Sequence, residues 1–205
     1  MNILKERYPL QITLDAAEGA AGEAGALTLR PMTPADDAAI LAFAKALPAH
    51  DLLYVRRDIT NAKVVKAWGD AIDEGSIKTV VATDDSGAIV GCVALIRDPL
   101  SWSPHVGEVR VLVSETMRGK GLGRILIQEC FRIAIADSIK KLIAQMTVDQ
   151  KGAVSIFEEL GFRGEALLKD HVMDRHGETH DIVVLSCDME RISAQHSLYG
   201  MDEAV

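Results

Sequence analysis

Aromatic residues make up only 4% of this 205-residue chain, and cysteine occurs three times. Cys92, Cys130 and Cys187 are widely spaced and odd in number, with no Cys-x-x-Cys pair. That pattern argues against a disulfide framework and against a zinc site. Each cysteine sits among apolar neighbours and reads as a core thiol in a reducing compartment. No stretch approaches the roughly 20 apolar residues that cross a bilayer. The opening MNILKERYPLQ lacks the apolar run of a signal peptide. A cytoplasmic protein with no membrane partner is therefore expected. Basic residues are also in deficit, 22 Lys and Arg against 30 Asp and Glu, for a net charge of −8. Such a chain repels a phosphate backbone at long range, which argues against nucleic acid and faintly favours a cationic amine. What is present is a composition of 48% apolar and 25% charged residues, that of a globular protein with room for one domain.

Residues 9–14 (PLQITL) and 26–30 (ALTLR) alternate like short strands, with the Ala/Gly-rich DAAEGAAGEAG between them. Residues 1–26 therefore read as an N-terminal extension with a flexible loop. Thr33-Pro34-Ala35-Asp36 offers an N-cap, a proline at N1 and an acidic N3, so a helix is expected from there to Pro48. Val64, Val65, Trp68 and Ile72 predict a second helix over 60–74. Strands are expected at Lys78–Thr83, Ala88–Ile96 and Glu108–Val113, the first two joined by the turn Asp84-Asp85-Ser86-Gly87. A helix then runs from Leu122 to about Ala136, a strand over Leu142–Met146, and a helix over 150–160. Strands at Gly161–Asp170 and Asp181–Asp188 complete a mixed α/β domain of residues 27–189. A tail of residues 190–205 has no clear periodicity.

The most informative stretch is GEVRVLVSETMRGKGLGRILIQE, residues 107–129. A strand enters a turn with Gly119, Gly121 and Gly123, and a helix begins there. Glycine lets backbone N–H groups approach an anion closely, and the positive end of a helix adds to them, so the turn suits a pyrophosphate. Arg118, Lys120 and Arg124 place positive charge beside it. The glycine spacing is not G-x-G-x-x-G, and G-x-x-x-x-G-K-[ST] is absent.

Arg118-x-x-Gly121-x-Gly123 after a Val-x-Val strand resembles the acyl-CoA-binding motif of the GNAT superfamily of N-acetyltransferases. Gln150-x-x-Ala153-x-x-x-Phe157-x-x-x-Gly161-Phe162 is similar to that family's second signature, in which Asn and Tyr are usual at the positions of Gln150 and Phe157. The resemblance covers roughly residues 27–188. It implies a GNAT-like fold, with a central, mostly antiparallel, splayed sheet flanked by about four helices. It implies acetyl-CoA as co-substrate; the residues themselves give no expectation of a metal. Val111, Leu112 and Val113 would pair with the pantetheine arm, residues 118–124 (with Leu122 among them) would hold the pyrophosphate, and Gln150 would meet the arm.

Acetyl transfer to an amine requires a neutral amine, so a base is needed. Glu108 is the candidate, because bacterial protein-lysine acetyltransferases carry a Glu at the matching place. The segment 27–57 also looks like the opening of those domains. The expected acceptor is a primary amine, either a protein lysine or a small molecule, and a homodimer is left open. Phe157 cannot act as the acid that Tyr supplies in many relatives. It reads as a packing residue against the cofactor arm or the core, and the thiolate is left with no assigned proton donor. Oxyanion stabilisation is expected from a backbone N–H near Val113. A catalytically idle acyl-CoA-binding module is the alternative. His171, His176 and His180, with Asp174 and Asp181, read as a polar hairpin tip rather than a metal site. Trp102 and His105 are candidates for an acceptor wall.

Overall fold

The computed structural model describes residues 3–14 and 25–192. Most of the Ala/Gly-rich stretch, and residues 193–205 of the expected tail, lie outside the described residues. Eight strands form one sheet: β1 Leu10–Thr13, β2 Ala26–Pro31, β3 Ile77–Thr83, β4 Ile89–Ile96, β5 Val106–Val113, β6 Lys141–Thr147, β7 Arg163–Met173 and β8 Thr179–Asp188. Their order is β1-β2-β3-β4-β5-β6-β8-β7. The α-helices bounded within the described residues are α1 Ile3–Arg7, α2 Asp37–Ala46, α3 Ala62–Asp73, α4 Leu122–Ala136 and α5 Lys151–Glu159. The mixed α/β class and the four flanking helices α2–α5 agree with the sequence. The short α1 has no sequence signal of its own, and β1 joins the same sheet by pairing with β2.

Two apolar layers sandwich the sheet. Val81, Cys92 and Leu112 face α2 and α3 through Ile40, Phe43, Ala44 and Val65. Their alternate neighbours, Val80, Val93 and Val109, face α4 and α5 through Leu122, Leu126, Cys130 and Phe157. Because both faces are covered, β3 and β4 are buried almost end to end, which accounts for their unbroken apolar runs. The turn before α2 forms as the capping pattern requires. Asp36 accepts from the Thr33 N–H at 2.8 Å, and Arg30 forks onto its carboxylate at 2.6 and 2.8 Å.

The N-terminal segment is pinned to α4 by a buried carboxylate. Glu129 accepts from Arg7 Nε, Arg7 Nη2 and Tyr8 Oη, each at 2.7 Å. Burial alone pushes the Glu129 carboxyl up, but the Arg7 and Tyr8 hydrogen bonds outweigh it and hold the group below its ordinary range.

The feature that positions the site is a break in the sheet. All neighbouring strands are antiparallel except β5 and β6, which pair in parallel only over Val106–Glu108 against Lys141–Ile143. Beyond that point both strands continue, to Val113 and Thr147, with no strand among the described residues between them.

Candidate active site

Ser114 N–H donates to the Val90 carbonyl at 2.9 Å, which fixes the register of β5 on β4. Backbone direction alternates along an antiparallel pair, so Leu112 and Arg110 bond to β4. The N–H and C=O groups of Val111 and Val113 therefore point into the gap. A side chain reports the same direction: Tyr54 Oη donates to the Val111 carbonyl.

A cavity of about 780 Å³ follows this gap, within the range of about 300–1,000 Å³ usual for small-molecule and cofactor sites. Of the residues singled out in the sequence, Val111, Leu112, Val113, Arg118, Gly119, Gly121, Leu122, Gly123, Arg124, Gln150 and Phe157 line it. Lys120 is exposed on the same turn and Glu108 is buried, and neither is on the cavity wall.

Gly119 and Gly121 have φ of +73° and +83°, and Gly121 is the N-cap of α4 with no side chain capping it. The first-turn N–H groups have no intrahelical acceptor and open toward the cavity, as an anion site requires. A Cβ on either glycine would meet none of the described atoms within 4 Å. The protein's own packing gives no reason for glycine there. The arginines depart from the simple expectation of free positive charge. Arg118 is ion-paired with Asp51 and Arg124 with Glu159, because the chain has carboxylates in reach of both. Gln150 has a buried Oε1 with no hydrogen-bond partner among the described residues, although it lies on the cavity wall. That orphaned acceptor fits an amide-bearing ligand arm.

Glu108 is the last residue of β5 paired with β6, so it stands where the gap begins. It is 8% exposed; Arg110 Nε donates to its Oε1 at 2.7 Å, and Arg56 Nη2 lies 3.7 Å from Oε2. Phe157 is buried edge-on against Phe162, with ring centroids 4.9 Å apart.

Sequence reasoning missed the segment from His50 to Arg56. As it advances it tracks backward along the gap, with Asp51 on Arg118, Tyr54 on Val111 and Arg56 on Glu108. His50 reaches the opposite wall, where its Nε2 is 2.8 Å from Asp149 Oδ2 and 3.3 Å from Thr147 Oγ1. The Thr147 hydroxyl and then His50 hold the Asp149 carboxyl below its ordinary range. Only Pro48, which ends α2, hinted at a special segment here.

At the β7–β8 hairpin, ligating atoms of Asp174, Glu178 and His180 lie within 4.8 Å of one another. Asp174 Oδ1 already accepts the N–H groups of His176 and Glu178, which is the chemistry of a turn. Trp102 is fully exposed, and neither it nor His105 lines the cavity. The three cysteines are buried and free, and burial pushes the Cys92 thiol up to about 12. Among the described residues no helix is long and apolar enough to cross a membrane.

The fold has close counterparts among solved structures. Spermidine N-acetyltransferase from Vibrio cholerae, solved with CoA and spermine, superposes with a TM-score of 0.68 at 20% identity, covering 81% of this chain and 97% of that one. YwnH of Bacillus subtilis (strain 168), which carries the name of a phosphinothricin acetyltransferase, is 28% identical over 53% of this chain and 67% of its own length. The L-methionine sulfoximine/L-methionine sulfone acetyltransferase of Pseudomonas paraeruginosa is 30% identical over 47% of this chain. The match spans 57% of that relative's length. Residues 24–162, which carry the strand, the glycine turn and both signatures, match the model of the acetyltransferase (GNAT) family, and the chain belongs to that family of acyltransferases.

Proposed function

We propose that this chain moves the acetyl group of acetyl-CoA to the primary amine of a small molecule, with Glu108 taking the proton the amine must lose. The observation that carries this is the unpaired edge of β5 beside the uncapped start of α4. The gap-facing groups of Val111 and Val113 add a pantetheine arm as a substitute strand. The first turn of α4 receives the pyrophosphate, Gln150 Oε1 accepts an amide N–H, and Phe157 packs against the arm. Arg118 and Arg124 exchange carboxylate partners for phosphate oxygens, with Lys120 adding charge at the same turn. The thioester supplies an acyl group already activated for attack.

The rest falls to side chains and backbone. An alkyl amine with a pKa of about 10.4 is less than about 0.1% neutral at pH 7, so a base at the head of the gap is required. Glu108 is the carboxylate there. The parallel pairing ends at Glu108, so the first gap-facing N–H clear of β6 is that of Val111, which serves the developing oxyanion.

Arg110 and Arg56 shape the choice of acceptor. With Glu108 they form a group of one net positive charge, which repels a polyamine and suits an amine that also carries an anionic group. An amino-acid-type acceptor also fits the names of the Bacillus and Pseudomonas relatives. Thiol release across amino acids and their analogues, polyamines and lysine peptides tests the class. Turnover is expected with the amino-acid-type amines, falling at least about tenfold in Glu108→Gln while CoA affinity holds. Preference for a polyamine or a peptide would overturn the acceptor class. Intact CoA binding with no turnover of any amine would favour a regulatory acyl-CoA-binding module.

A further inference from the structure

We infer that Tyr54 is the acid that protonates the departing thiolate, the role for which Phe157 has no hydroxyl. This inference rests on acetyl-CoA lying along the β5 edge as proposed above. Tyr54 lines the cavity, and its hydroxyl hydrogen-bonds the Val111 carbonyl. The N–H and C=O of Val111 belong to one residue and point the same way into the gap. In an acyl-CoA, the thioester oxygen and the first amide nitrogen of the arm are separated by C–S–C–C. An oxygen placed on the Val111 N–H therefore brings the sulfur level with the Val111 carbonyl, where the Tyr54 hydroxyl already sits.

Other candidates along the gap are worse placed or in the wrong state. Phe157 is apolar, and its ring is committed to Phe162. His50 lies across the gap, on Asp149 and Thr147. Glu108 must accept a proton, not give one. Burial keeps the Tyr54 hydroxyl above its ordinary range, so the proton is present to be given. The ring is placed along β5 by its own hydroxyl on the Val111 carbonyl and by Arg56 on Glu108 after it.

The step balances without a further reagent. The amine lone pair forms the C–N bond, and Glu108 takes the proton that nitrogen releases. The C–S bond breaks with its electron pair on sulfur, Tyr54 Oη passes its proton to that sulfur, and water restores the phenol.

The test does not depend on turnover alone. A hydroxyl that donates to sulfur stabilises the thiolate, so ultraviolet titration of CoA bound to the wild-type protein should show a thiol more acidic than in free CoA. In Tyr54→Phe the bound thiol should titrate about one pKa unit higher than in the wild type, a tenfold change in proton affinity. CoA affinity by calorimetry should change less than about tenfold, since one neutral hydrogen bond is at stake. The kcat should fall about a hundredfold, the low end for a lost general acid. If the bound thiol titrates alike in both proteins, or no lower than free CoA in the wild type, Tyr54 is not the donor, though the CoA site stands. If the wild-type protein binds no CoA, the proposed function and this inference fall together.

Discussion

Two glycines two positions apart at the start of α4 should behave in opposite ways. Gly121 is left-handed at φ +83°, and its absent Cβ would point into open space. Any other L-residue there is strained by about 1–2 kcal/mol, with no clash to add. Gly123 lies inside the first turn of α4, and its Cβ would make an ordinary contact, 3.8 Å from Val113 Cγ2. Alanine there gains up to about 1 kcal/mol through helix propensity and a less flexible unfolded chain. For a protein of this size each kcal/mol moves the melting temperature by about 2–4 °C. Gly121→Val should then melt about 2–8 °C below the wild type, and Gly123→Ala at or slightly above it. CoA affinity separates them further. A valine at 121 puts bulk between the phosphates and the first-turn N–H groups. Losing hydrogen bonds to a charged group costs about 1.5–3 kcal/mol, or about tenfold to a hundredfold in affinity. Gly123→Ala, its methyl turned toward Val113, should stay within about threefold of wild type on the same scale. Calorimetry with CoA at 25 °C, where both variants are folded, reads the difference. Wild-type affinity in Gly121→Val would show that the helix start does not face the phosphates.

Other consequences follow from the buried carboxylates. Glu129→Gln leaves the Arg7 guanidinium facing a neutral group in a site where the carboxylate side chain is 5% exposed and Arg7 15%. The expected loss is about 3 kcal/mol, the lower end for a broken buried pair, because glutamine keeps some hydrogen bonds. Urea denaturation measures it, and adding Arg7→Met should recover part; a loss below about 1 kcal/mol would refute the pinning role. Acid should weaken the fold through Asp36, held low by the Arg30 fork and Thr33, and through Glu129. Both are depressed in the folded state, so their stabilisation is complete above the ordinary carboxyl range of about pH 4–5 and is lost as pH falls through the folded values. The urea midpoint should therefore fall between pH 5 and pH 3, and less so in Asp36→Asn; a flat profile would contradict the sign.

Local rules make most of the elements legible in the amino-acid order alone. Thr33-Pro34-Ala35-Asp36 closes the short 3-10 turn that leads into α2, and the apolar spacing of Val64, Val65, Trp68 and Ile72 marks α3 to within two residues. The glycine turn after β5 locates the cavity wall, because φ above zero is written in the residue type. What stays hidden depends on contacts between distant segments. Val111-Leu112-Val113 reads like any paired strand, so nothing in it reveals that the pairing with β6 stops at Glu108. Glu129 sits among apolar residues of α4 and gives no sign that Arg7 and Tyr8 will neutralise it. His50 finds Thr147 from 97 positions away, and the segment 50–56 has no periodicity to announce a roof over the gap.

The charge balance takes on a different meaning once these contacts are known. A chain of net charge −8 needs local positive charge to hold an anionic cofactor, and the turn at 118–124 supplies it only conditionally. Arg118 is shared with Asp51 and Arg124 with Glu159, all at least partly exposed. Such exposed pairs are worth about 0–1 kcal/mol, so a phosphate with more acceptor oxygens can replace the carboxylate at small cost. The first-turn N–H groups of α4 are different, because no side chain among the described residues caps them. They are the donors that stand ready before any exchange of partners. Asp51, once released from Arg118, belongs to the same segment as Tyr54 and Arg56. On the proposed cofactor pose, phosphate binding at one end of the gap would thus act on the segment that reaches its chemical end. On that pose, recognition would depend more on the backbone that Gly121 shapes than on the charge that Arg118 carries.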